Sequence, residues 1–373
     1  MLLSQNMLIH DLETQIHEIA EEIERQKHTL RRLEYSKSLL QRELNSRCDP
    51  FAKLPINISS AIFRLSVPLH SFRPGIETEP ILLLNICHAW TDIALSTPAL
   101  WTTIRINFPC PSSSIHILQT FLQRARSHPL DLRIMMEGKV DREMCALIER
   151  HSWHIQCLDI FLADRNNSHD FPFQETVVAP LSLLRDLRIV GGDGTLKFAW
   201  SPILHLLRRS PNLADLSLEH MNLVDIQPFT EPVVFPHLRR LGLGQNPWDT
   251  RSDDEILQCI TAPRVKSLSI SSMHLESNQL QPFFERSSYA LQRLAFDCFQ
   301  MSGPLEQVDQ ILEMVPTVTH LDILLPFPEF IQRLSLLLTR CWPGNRVLPS
   351  LKAVVFRFTS LESSVAAARL GFG

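Results

Sequence analysis

Ten segments of this chain share one spacing, apolar-x-x-apolar-x-apolar, and no other feature restricts the fold so strongly. They begin with "WTTIRI" at 101 and "PLDLRI" at 129 and run on through "IQCLDI" at 155, "LRDLRI" at 184 and "LADLSL" at 213. "LRRLGL" at 238, "VKSLSI" at 265, "LQRLAF" at 291, "VTHLDI" at 318 and "LKAVVF" at 351 complete the series. From 155 onward the intervals lie between 25 and 33 residues, and Pro211, Pro236, Pro263, Pro316 and Pro349 each stand two residues ahead of a copy. Stretches with helical periodicity, such as "SIHILQTFLQRARS" and "PLEQVDQILEMV", lie between copies. A short strand and a helix alternating at this period form a unit that cannot bury its apolar face alone, so neighbouring units must stack.

The alternation resembles a leucine-rich repeat, and the resemblance implies an irregular solenoid of parallel strands with outer helices over residues 102–373. Period-two alternation then sends the residues between the apolar ones to the concave face. Asp159, Arg188, Asp215, Glu219, Arg240, Arg293, Asp297 and Asp322 are expected there, as a mixed-charge surface for a protein target.

At the other end, Ile9, Ile16, Ile23, Leu30 and Leu44 share one heptad position, and Leu12, Ile19, Leu33 and Leu40 share the second; Gln26 and Lys37 interrupt the seam. Five heptads, about 54 Å of helix, make a coiled-coil pattern over residues 1–49 that must stop before Asp49-Pro50. Ile at one core position with Leu at the other leans toward a parallel pair. A homodimer through residues 9–44 and a lone helix resting on its own chain are both open at this point.

Residues 50–101 hold an unusually apolar pair of short helices. "INISSAIFRLS" follows Leu54-Pro55, and "ICHAWTDIALSTPALW" spans 86–101 with hardly any charge. A single helix from Thr78 onward is expected to carry Leu83, Ile86, Cys87, Trp90, Ile93 and Ala94 on one broad stripe. So much apolar surface on so short a segment needs a partner, within the chain or outside it. The ordered set Leu54-Pro55, Ile58-x-x-x-Ile62-Phe63, Ile86-Cys87-x-x-Trp90-x-x-Ile93-Ala94 and Pro98-x-Leu100-Trp101 resembles the F-box motif. With a coiled coil in front, the chain is similar to the F-box-like proteins abundant in mushroom-forming fungi. It departs from the usual pattern at Asn57, His88 and Thr91. The resemblance implies docking on the Skp adaptor of a cullin–RING (SCF-type) ubiquitin ligase through Leu54, Pro55, Ile58, Ile62, Ile86, Cys87 and Trp90. The chain would then be a non-catalytic substrate receptor; the alternative is a repeat scaffold with a vestigial F-box.

Composition narrows the classes further. A net charge of -4 gives no electrostatic case for nucleic acid or an anionic membrane, and no run is apolar enough to span a bilayer. Eight cysteines without a C-x-x-C pair read as reduced thiols, which fits the cytoplasm or nucleus. No cofactor or metal is expected: Cys145, His151, His154 and Cys157 have ligand chemistry but not finger spacing, and "GGDGTLK" at 191 is not a phosphate loop. No catalytic signature is present, so an enzyme is not expected.

Overall fold

The structure, a computed structural model, describes residues 2–66, 75–162, 171–173, 179–192, 197–224, 232–244, 256–270, 277–287, 290–297, 306–324, 326, 328–339 and 348–357. The fold is mixed α/β, with a long N-terminal helix and a large, mostly parallel sheet. The chain divides into two compact units: Met1–His70 with Thr78–Leu100, and Ser71–Glu77 with Trp101–Gly373.

The first unit is helical. Helix α1 (Leu2–Cys48) contains no Pro or Gly and stops one residue before Asp49-Pro50. Asp49 caps a 3-10 turn, Pro50–Lys53, by accepting from Phe51 N at 2.9 Å. Then come α2 (Ile56–Ser66), α3 (Glu79–Leu83) and α4 (His88–Ser96). The single helix expected beyond Thr78 is thus two helices, with Cys87 in extended backbone at φ -159° and ψ 171° between them. Tertiary hydrogen bonds hold the break open. Arg42 of α1 donates to the Leu84 carbonyl at 3.1 Å, Asn45 donates to that of Ile86 at 2.9 Å, and the Thr91 hydroxyl also reaches Leu84 O. Those carbonyls would otherwise lack partners where the helix stops.

In the second unit the repeat becomes a ladder. Strands β1 (Gly75–Ile76), β2 (Thr103–Phe108), β3 (Leu130–Met136), β4 (Ile155–Leu162) and β5 (Asp186–Gly191) belong to one sheet. Beyond β6 (Lys197–Ala199), that sheet takes in β7 (Asp215–Glu219). Beyond β8 (Asn222–Val224) and β9 (Val233–Val234), it takes in β10 (Arg240–Gly244). Beyond β11 (Ile260–Thr261), it ends with β12 (Ser267–Ile270), β13 (Arg293–Asp297), β14 (His320–Leu324) and β15 (Ala353–Arg357). β1 pairs antiparallel with β2 and every later neighbour is parallel; β6–β8 and β9–β11 form two small separate pairs.

Strand order follows chain order, so each copy lies against its sequence neighbours. The register places equivalent residues side by side: Leu158, Leu187, Leu216, Leu241, Leu268, Leu294 and Leu321 form one row, two residues before a second row of Ile160, Ile189, Leu218, Leu243, Ile270, Phe296 and Ile323. Both rows are buried. The leading apolar residue of each copy (Leu184, Leu213, Leu238, Val265, Leu291, Val318) is buried as well.

The prolines have a local cause. Leu213 N, Leu238 N, Val265 N, Val318 N and Leu351 N each bond the carbonyl three residues back, closing a turn whose second residue is Pro211, Pro236, Pro263, Pro316 or Pro349. That position suits the fixed φ of proline. Helices α5 (Ser114–Ala125), α6 (Arg142–Arg150) and α7 (Trp200–Arg208) supply crossovers, as do Ser277–Arg286, Glu306–Met314 and Pro328–Thr339. Gly191 ends β5 where a Cβ would fall 2.0 Å from the His220 carbonyl oxygen, a closeness only glycine allows.

Candidate functional site

Two surfaces carry the residues singled out from the sequence. On the helical unit, α2 turns Ser59 and Phe63 inward and leaves Ile58, Ala61 and Leu65, three and four residues apart, on an exposed stripe. Leu54 is 41% exposed, Ile58 46% and Leu65 88%, and Pro55 is exposed between them. Ile58 and Leu65 thus face solvent at helical spacing, with Leu54 exposed just ahead of them.

The remaining motif residues do different work. Ile62 and Ile86 are half-buried, and Cys87 is fully buried. Trp90 is half-buried between Phe51 and Phe63, with ring centroids at 5.1 and 4.7 Å. Its indole N–H donates to Asp49 Oδ2, which the Cys87 thiol also approaches at 3.6 Å. Asp49 therefore caps the 3-10 turn with one oxygen and anchors Trp90 with the other. From the sequence it stands out only as the end of α1, although Asp-Pro is itself a cap signature. Thr91 accepts from Arg42 at 3.1 Å and donates within its own unit, so this departure from the motif has an internal use.

On the sheet, the alternate positions form two polar rows beside the apolar ones. The first runs Asp131, Cys157, Asp186, Asp215, Arg240, Ser267, Arg293, His320; the second runs Arg133, Asp159, Arg188, Ser217, Gly242, Ser269, Ala295, Asp322. The charges largely answer one another. Arg188 grips Glu219 with two bonds at 3.0 and 2.6 Å, and its guanidinium sits 5.8 Å from the centre of the Phe161 ring. Arg240 forks onto Asp215, Arg293 reaches Asp322 at 3.1 Å, and Arg133 reaches Asp159 at 3.4 Å. Asp297 occupies the register position opposite Leu324. Arg133 and Asp131, missed as surface residues, follow the same alternation inside "PLDLRI".

Burial would raise Glu219, but hydrogen bonds from Arg188 and Ser217 win and hold its carboxyl below the usual range. Asp186 goes the other way, pushed up by burial and then by its hydrogen bond to Asp215, the carboxylate directly opposite. The Cys157 thiol donates to Asp186 at 3.3 Å, and burial followed by that bond pushes it up to about 12, which favours the protonated thiol at neutral pH. The Asp186 shift means the folded chain binds this proton more tightly than the unfolded chain. Its contribution to stability therefore rises as pH falls through the raised value. Asp186→Asn is expected to stabilise the protein at pH 7 by up to about 1 kcal/mol, the cost of like charges facing across strands. The gain should shrink toward about pH 3, where the wild-type carboxyl is protonated in both states; urea midpoints at the two pH values check this.

Among the described residues, no three His, Cys, Asp or Glu side chains converge to hold a metal ion. His151 is engaged with the Leu147 carbonyl at 3.0 Å, and burial lowers His154. Nor is any described helix long and apolar enough to cross a membrane. The helical unit thus offers exposed apolar side chains, and the sheet offers rows of largely paired charge. Comparison with known proteins finds no matching family model and no matching curated relative.

Proposed function

We propose that this chain is the substrate-recognition subunit of an SCF-type cullin–RING ubiquitin ligase. In this reading residues 50–101 are an F-box that docks on the Skp adaptor. Residues 102–373 form an irregular leucine-rich-repeat solenoid whose polar rows bind a protein target in the cytoplasm or nucleus. The observation that carries it is the exposed apolar stripe of Ile58 and Leu65 on a helix whose opposite face is buried, with Leu54 exposed just ahead of that helix. Such a stripe supports helix-in-groove docking, which needs apolar anchors and no bond chemistry. The receptor itself then performs no catalysis: binding both partners raises the local concentration of target lysines at the ligase. A target competes with the Arg188–Glu219 and Arg240–Asp215 pairs, so its charges must be patterned to replace them.

A second reading, a scaffold with a vestigial F-box, is favoured by Thr91, which stands where the motif commonly has a basic residue and spends its hydroxyl internally. Co-purification of the full chain with a Skp adaptor separates the two. The wild type is expected to capture the adaptor. Leu54→Asp with Ile58→Asp, on side chains already in water, should lower capture at least about tenfold with an unchanged circular dichroism spectrum, one decade being about 1.4 kcal/mol. No capture by wild type, or equal capture by the double variant, rejects the receptor reading.

A further inference from the structure

Among the described residues, nothing in its own unit covers the seam of α1. Leu12, Ile16, Ile19, Ile23, Leu30, Leu33, Leu40 and Leu44 are between 47% and 68% exposed. The helix is held to its unit by the opposite face: Arg42, two residues before Leu44, and Asn45, one after it, bond the backbone between α3 and α4. Docking on that side leaves the apolar seam open down to its last core residue.

We infer that α1 pairs antiparallel with α1 of a second copy of this chain, placing Ile19 against Leu44, Ile23 against Leu40, Leu30 against Leu33, and Gln26 against Lys37. The polar interruptions identify this occupant and this register. In an antiparallel coiled coil the two core positions face each other across the pair, so a polar residue at each can share one layer. Only this alignment makes Gln26 and Lys37 meet; a shift of one heptad either way sets Lys37 against Ile19 or Leu33. A parallel pair in register sets Lys37 against Lys37, two like charges in an apolar core. The carbonyl oxygen of Gln26 can instead accept from the Lys37 ammonium.

The flanks agree in part. Lys27, bonded to Glu24 within its own helix, comes beside Glu34 of the second copy, an attractive contact that occurs twice. Glu22 comes beside Glu43, but each already has its own arginine, Arg25 at 3.2 Å and Arg47 at 2.7 Å. The paired segment, Ile19 to Leu44, is about 40 Å long, enough for a stable two-stranded coil. Ile at one core position and Leu at the other favours a parallel pair when every layer is apolar, and the two polar layers reverse that preference here.

This inference is independent of adaptor docking and is tested without it. Light scattering on the full chain is expected to give about twice 42.8 kDa, and Leu30→Asp with Leu33→Asp should halve that mass. In a Cys48→Ser background, chains carrying Gln26→Cys and Lys37→Cys are mixed and oxidised. The crosslink expected is between the two different chains, with Lys37→Cys alone giving none. A monomeric wild type, self-crosslinking of Lys37→Cys alone, or a dimer that fails to form the mixed crosslink would each overturn it.

Discussion

Trp90→Ala is expected to destabilise the helical unit by about 3 kcal/mol, the lower end of the range for losing a packed aromatic, as suits a half-buried ring. The substitution removes the wedge between Phe51 and Phe63 and leaves Asp49 Oδ2 without its indole donor. Trp90→Phe should recover most of the packing and none of the hydrogen bond, so its cost should fall near the roughly 1 kcal/mol typical of one such bond. Urea denaturation of both variants, followed by circular dichroism at the helix band, measures the difference. Losses of equal size in the two variants would show that the Asp49 bond, and not the aromatic cluster, holds α4 in place. One consequence concerns the adaptor assay: a Trp90 variant that loses capture reports on folding, whereas Leu54 and Ile58 report on the surface.

Removing either partner of Arg209–Glu149 is expected to cost about 3–5 kcal/mol, a large share of the total stability of an ordinary domain. The guanidinium at the end of α7 forks onto the carboxylate in the last turn of α6 at 3.0 and 2.7 Å, and its third donor reaches the Ala179 carbonyl at 2.8 Å. Both side chains are under 7% exposed, so deleting one strands an ion away from water. Glu149→Leu with Arg209→Met together should cost far less than either single loss, because no charge is then left behind. Chemical denaturation of the three variants supplies the double-mutant cycle, and additive losses would mean the pair is not coupled.

The repeat is legible in the sequence because its cause is local and periodic. Leu-x-Ile alternation decides which face of a strand is apolar, and a proline two residues ahead closes the turn, so the strand positions follow from side-chain spacing alone. The break between α3 and α4 has no such local cause. "ILLLNICHAW" has the periodicity of one helix, and it divides where Arg42 and Asn45, some forty residues upstream, join Thr91 in taking the Leu84 and Ile86 carbonyls. Trp90 is legible as an apolar anchor and illegible as an inward one, since its direction depends on Phe51, Phe63 and Asp49 arriving from other segments.

By itself, then, the amino-acid sequence determined the long seam of α1 and the strand-by-strand repeat, both of which follow from side-chain period along a single element. Only the tertiary structure decided which charges on the sheet answer one another, where the apolar helix is cut, and that Arg209 closes on Glu149. Those outcomes rest on distances between residues far apart in the chain, and a hydrogen bond or ion pair exists only where folding brings donor and acceptor within about 3 Å.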